Sequence, residues 1–200
     1  MTAANRIVLG DCVGALIDVQ RYFLGQLDER ARHRIEVNTT RFVRLLAYFR
    51  IPLLVTLERP VERKGGLPDA IATHLGTEAE LHEKDSFDLT REAPIAARLA
   101  ALGRTQVIVG GCETDVCVLQ SCLGLLALGY RVFLVEELLF SASPDVAAAV
   151  SRMRASGAVV VSYKTLFYEL MERIEESRRV NEPFLTLGPF PDDLPDAAIP

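Results

Sequence analysis

Several shortages narrow what this chain can do. Basic residues are outnumbered, 22 against 27 acidic, and the net charge of −5 withholds the positive surface that nucleic acid or an anionic membrane demands. No uninterrupted apolar run approaches the ~20 residues of a membrane helix. The opening MTAANRIVLG has no basic segment leading into a long apolar stretch, which reads as no secretion signal and a cytoplasmic protein. The histidines, His33, His74 and His82, are too scattered to share a metal. Of the four cysteines, Cys12, Cys112, Cys117 and Cys122, three crowd into eleven residues without a CxxC spacing. Reduced thiols fit that distribution better than disulfide staples. Internal repeats and interdomain linkers are absent too.

What is present is ordinary globular material. Half of the 200 residues are hydrophobic and 24% are charged, enough for one substantial domain with a proper core. Apolar strand-like runs alternate with helix-like stretches. Strands are expected at 13–17, 53–56, 81–84 (a weak one), 107–109, 132–135 and 158–161. Helices are expected at 39–50 with Asn38 as cap, 94–102, 115–128, 145–155 and about 165–177, several stopped by glycine. Residues 59–80 read as a loop with one short helix around 69–75. Repeated alternation of this kind implies a three-layer α-β-α fold around a six-stranded parallel sheet. The segment 181–200, with five prolines, reads as a frayed tail or an arm on a neighbouring subunit.

In such sheets, ligands bind beyond the carboxyl ends of the strands. Three chemically able residues stand there: Asp18 after the first run, Lys84 after the third, and Cys117 beyond the fourth. Cys117 follows Gly110-Gly111-Cys112-Glu113-Thr114 in the first turn of a helix. A helix N-terminus favours a thiolate, so Cys117 is either a nucleophile or a small buried core cysteine. Gln20 either lines a pocket or pairs with backbone. Phe23 and Phe87 are either core or pocket wall.

Taken together, Asp18-x-Gln20 with Phe23, Lys84-x-x-Phe87 and Gly111-x-Glu113-Thr114-x-x-Cys117-Val118 resemble the signature segments of the isochorismatase-like cysteine hydrolases. The likeness runs over about residues 7–172. It is greatest to the isochorismatase-domain hydrolases of unknown substrate, rather than to the nicotinamidases. The resemblance implies a hydrolase domain over residues 1–180 and a catalytic triad of Cys117 as nucleophile, Asp18 as proton acceptor and donor, and Lys84 as the cation steadying the thiolate. It further implies a cis peptide between Cys112 and Glu113 and an oxyanion hole from the N–H groups of Glu113 and Cys117. Gln20, Phe23, Phe87 and Thr114 would form the substrate pocket. A small-molecule substrate and a homo-oligomer of unread copy number are expected, with no cofactor. The expected reaction is cleavage of a small amide or related C–N bond through a thioester. The alternatives are vinyl-ether hydrolysis of an isochorismate-type substrate, and an inactive oligomeric scaffold. The nicotinamidase metal ligands have no counterpart at Thr56-Leu57-Glu58-Arg59, where three ligands cannot be assembled, so no metal is predicted. Arg59, Arg63 and Lys64 read as cations of a lid. The pair Glu136-Glu137 replaces an expected aspartate–alanine, without explanation.

Overall fold

The computed structural model describes residues 6–177. The expected tail at 181–200, and the domain limit at 180, lie outside the described residues. Six strands form one parallel sheet: β1 (Cys12–Ile17), β2 (Leu53–Glu58), β3 (Ala79–Lys84), β4 (Gln106–Gly111), β5 (Arg131–Leu139) and β6 (Val159–Val161). Their spatial order is β3-β2-β1-β4-β5-β6. The order therefore reverses between β1 and β4, and the crevice beyond their carboxyl ends is the natural place for a ligand.

The helices are α1 (Arg21–Leu24), α2 (Glu29–Tyr48), α3 (Val61–Lys64), α4 (Asp69–Ala72), α5 (Ala93–Leu102), α6 (Leu119–Ala127), α7 (Ala147–Ala155) and α8 (Tyr163–Met171). Both faces of the sheet are apolar, as parallel sheets require. Along β1, Cys12 and Leu16 join Phe42 and Leu46 of α2 and Leu166 and Phe167 of α8 in one core. Val13, Ala15 and Ile17 face the other way, towards Leu99 of α5, Cys122 and Leu125 of α6 and Met153 of α7. The period of two along a strand sorts the residues between the two layers. Among the described residues, no helix is long and apolar enough to cross a membrane.

The limits of four of the longer helices differ from the sequence reading. α6 starts at Leu119 instead of 115, so Cys117 lies in a wide turn before the helix and not in its first turn. α2 starts ten residues earlier than expected, at Glu29, because Asp28 caps it by accepting the Ala31 N–H at 2.8 Å. Its first turns are charged and solvent-facing, so they show little apolar periodicity. Asn38, the expected cap, lies inside the helix and its amide reaches the Glu137 carbonyl at 3.4 Å. α7 starts at Ala147, with Asp145 accepting its N–H at 3.1 Å. α8 is capped by Ser162, which accepts from Thr165 N, and stops at Met171, where Glu172 takes a positive φ of 57°. The Glu136-Glu137 pair also finds a partial explanation. The Glu137 carboxylate accepts the Tyr163 N–H at 2.8 Å, holding the first turn of α8 against the end of β5.

Candidate active site

Register brings the site together. In-register pairing sets Ile17 opposite Thr56 and also opposite Gly111, while Glu58 lies opposite Lys84. The side chains just past these ends converge on the β1–β4 reversal. Gly111 makes that approach possible. Its φ is +128°, and a Cβ there would lie 2.0 Å from the Ile17 carbonyl oxygen, so only glycine fits. Cys112 N–H then donates to that same carbonyl at 2.9 Å. The next peptide, Cys112–Glu113, is cis. Beyond it the chain makes a wide five-residue turn, Thr114–Val118, in which Val118 N–H reaches the Glu113 carbonyl at 3.0 Å. Wide turns of this kind often occur at functional sites. Both the N–H and the hydroxyl of Thr114 donate to the Phe140 carbonyl at 3.0 Å, which ties this turn to the end of β5.

At the centre lies a buried ion pair. Lys84 Nζ stands 2.7 Å from Asp18 Oδ2, and both side chains are 0% exposed. Thr56 donates its hydroxyl to Asp18 Oδ1 at 2.8 Å. Asp18 holds a φ of +51°, a left-handed conformation that aspartate tolerates better than most residues. Lys84 also reaches the Ser86 carbonyl at 3.1 Å and Cys117 Sγ at 3.5 Å. An ammonium removed from water persists only when surrounded in this way.

Glu58, at the end of β2, is a fourth member that the sequence reading did not choose. Cys117 Sγ donates to its Oε2 at 3.1 Å, and Lys84 Nζ lies 3.8 Å from the same oxygen. Its other oxygen pairs with Lys64. A charged residue directly ending an apolar strand was the sequence signal, the same one that picked out Asp18.

The electrostatics correct one expectation. The Cys117 thiol is not lowered by the helix start and the ammonium; it is pushed well up. Burial is the largest cause and the negative charge of Asp18 the next; Lys84 opposes them, and Glu58 adds to the rise. The resting sulfur therefore carries its proton. Asp18 is held above the ordinary carboxylate range because burial outweighs the help of Lys84 and Thr56. Glu58 lies below its ordinary range. Burial works against that, but Lys64, the thiol and Lys84 together outweigh it. Lys84 stays protonated because, although burial opposes its charge, Asp18, Cys117 and Glu58 together favour it. The site thus pairs a neutral thiol with one carboxylate of raised proton affinity and one that remains ionised.

The other expected residues separate. Gln20 is fully buried and spends its amide on backbone: Nε2 donates to the Glu58 and Gly65 carbonyls at 3.1 and 2.9 Å, and Oε1 accepts the Glu58 N–H at 2.8 Å. It positions Glu58 and has no amide hydrogen left to offer a ligand. Phe23 is a core residue at 8% exposure, with Lys64 Nζ 5.7 Å from its ring centre. Phe87 is half exposed, and its carbonyl accepts from Ser121 of α6 at 3.2 Å. Cys12, Cys112 and Cys122 are fully buried. Two of the three lid cations are already paired, Arg59 with Glu83 and Asp85, and Lys64 with Glu58. Cys117 is 2% exposed and its apolar side joins the α5–α6 core. Glu58, which accepts the Cys117 S–H, has a side chain 14% exposed, and Lys64 on its other oxygen one 19% exposed.

Three ligand-type side chains do meet here, contrary to the expectation for the Thr56-Leu57-Glu58-Arg59 strand end: ligand atoms of Asp18, Glu58 and Cys117 all lie within 4.8 Å of one another. The Lys84 ammonium sits among them and already supplies the positive charge, so the set does not fit a resident metal ion.

A doubly wound parallel sheet with a thiol, two carboxylates and a buried ammonium at its switch point defines an enzyme of the open α/β class. Within that class the assignment is specific: the isochorismatase domain matches residues 12–165, and the chain belongs to this family of hydrolases. The secreted isochorismatase effector Isc1 of Phytophthora sojae is 28% identical over 170 residues, covering 83% of this chain and 80% of that protein. A secreted relative means that the family does not fix a compartment. YcaC from Pseudomonas aeruginosa, solved with hexane-2,5-diol and covalent acrylamide, shares the fold with a TM-score of 0.83. It is 22% identical, over 94% of this chain and 92% of that one. YcaC from Escherichia coli, an octameric hydrolase of unknown specificity, follows at TM-score 0.80 and 20% identity, over 94% of this chain and 100% of that one.

Proposed function

We propose that this protein is a cysteine hydrolase that cleaves a small amide or related C–N bond through a thioester on Cys117. The observation that carries the reading is the meeting of Cys117 Sγ with the Lys84 ammonium at 3.5 Å, itself paired with Asp18 at 2.7 Å. Because the resting thiol is protonated, the nucleophile forms only as its proton leaves. Asp18, with its raised proton affinity, accepts that proton as sulfur attacks the carbonyl carbon. The nascent negative charge is steadied by Lys84, and the oxygen of the tetrahedral intermediate by the N–H groups of Glu113 and Cys117. Asp18 then protonates the departing nitrogen, and water releases the acid. Substrate reaches the sulfur past Glu58 and Lys64, its partly exposed neighbours. The octameric state of the Escherichia coli YcaC hydrolase supports a homo-oligomer here.

The buried, readily protonated Asp18 also favours a second reading. It suits an acid that protonates the vinyl ether of an isochorismate-type substrate, a reaction in which Cys117 is dispensable. Turnover of small amides, ureides and isochorismate by wild type and Cys117→Ala separates the two. The thioester reading expects amide or ureide turnover that falls about 10⁴-fold in the variant, the scale of losing a nucleophile or its partner. Undiminished turnover in Cys117→Ala contradicts it.

A further inference from the structure

The two carboxylates at the sulfur are not equivalent. Asp18 is fully buried, with Oδ1 accepting from Thr56 and Oδ2 in an ion pair with Lys84. Glu58 borders solvent at 14% exposure, and its Oε1 is held by Lys64. The hydrogen-bond donor on its Oε2 is the Cys117 thiol, at 3.1 Å. Acylation replaces that S–H with S–acyl and leaves Oε2 facing the acyl group without its donor. A buried or half-buried carboxylate oxygen in this state recruits a replacement donor, and the partial exposure of Glu58 admits water to that role. Gln20 fixes the Glu58 backbone at both its N–H and its carbonyl, and Lys64 holds the carboxylate by its other oxygen.

We propose that Glu58 is a further catalytic residue, the base that activates water to hydrolyse the thioester. This rests on the thioester reading above. Water donates one hydrogen to Glu58 Oε2 as its oxygen bonds to the acyl carbon. The C–S bond then breaks and the electron pair stays on Cys117 Sγ. Glu58 returns the proton to that sulfur, the acid departs, and the S–H to Oε2 contact of the resting site is restored. Asp18 and Glu58 thereby divide the reaction, Asp18 serving acylation and Glu58 deacylation. The low position of the Glu58 carboxylate keeps it ionised and ready to accept.

The probe is p-nitrophenyl acetate, whose leaving group departs without a proton. Its burst therefore reports acylation of the thiol and its later slope reports thioester hydrolysis. In Glu58→Gln the burst is expected to keep its wild-type amplitude. The slope is expected to fall by about 100-fold or more, the usual contribution of a general base, and peptide mass mapping should find acetyl-Cys117 accumulating. An unchanged slope, or a burst lost in step with the slope, overturns the assignment of Glu58. Glu58→Asp draws the carboxylate back by one methylene and decides the matter should the glutamine variant not fold: its slope must fall more than its burst. Failure of the underlying reading looks different. In that case wild type carries no acetyl group on Cys117, or Cys117→Ala gives the same burst and slope as wild type.

Discussion

Lys84 Nζ and Asp18 Oδ2 lie 2.7 Å apart, and so do Arg59 Nη1 and Asp85 Oδ2 at the same end of the sheet. The side chains of the first pair are 0% exposed, those of the second 49% and 70%. Equal length hides unequal consequences. In water the Arg59 charge gains little from its partners, and such pairs often contribute nothing measurable. Inside the fold, the Lys84 charge is desolvated and its attraction to Asp18 is barely screened. What the comparison teaches is that position sets the worth of an ion pair, and that only the buried one can hold a thiol and two carboxylates in fixed electrostatic relation.

The largest effect expected to sharpen this contrast comes from Lys84→Met. It leaves Asp18 buried without its counter-charge and Glu58 with Lys64 alone, and costs about 3–5 kcal/mol of stability, read by denaturant unfolding, together with loss of turnover. The double variant Lys84→Met, Asp18→Asn recovers a substantial part of that stability and none of the activity. Additive effects in this cycle would show that the two groups are not coupled.

A pH titration of stability comes next. The folded thiols of Cys12 and Cys122 are pushed up to about 12 by burial, and that of Cys117 is raised as well. An unfolded thiol ionises near ~8.5, so above that pH the unfolded chain sheds protons that the folded one keeps. Stability therefore falls as pH rises past about 8.5. Replacing Cys122 by Ala lowers stability at pH 7 and flattens this alkaline decline. A decline equally steep without Cys122 would contradict the assignment to the thiols.

The smallest effect is expected from Arg59→Ala. Its unfolding midpoint should match wild type, and its burst and slope with p-nitrophenyl acetate should be unaltered. A large loss of stability there would break the comparison between the two pairs.

Much of this was legible in the sequence, because alternation of apolar runs with helical spacing fixes a parallel sheet and strand ends mark the site. Asp18, Lys84 and Cys117 were visible by that logic and do meet. Glu58 satisfies the same criterion and escaped because its strand end was judged only as a place where metal ligands are missing. Its importance comes from register, which sets it opposite Lys84, and register across parallel strands cannot be read from local pattern. The direction of the Cys117 shift was misread for a related reason. The helix start and the ammonium are visible in sequence, whereas the burial and the two carboxylates that outweigh them exist only after folding. The early start of α2 was concealed by its charged first turns, although Asp28 before a run of good helix formers was a legible cap. Gln20 was open between pocket wall and backbone partner, and the structure decides for the second: both its amide hydrogens go to the Glu58 and Gly65 carbonyls and its oxygen accepts the Glu58 N–H.

The most direct test is to quench the wild-type protein during turnover of a small amide and locate the acyl group by peptide mass mapping. The account predicts an acyl group on Cys117, hydrolysed with time, and missing when Asp18 is replaced by Asn. Sustained amide turnover with Cys117 unmodified at every time point would contradict it.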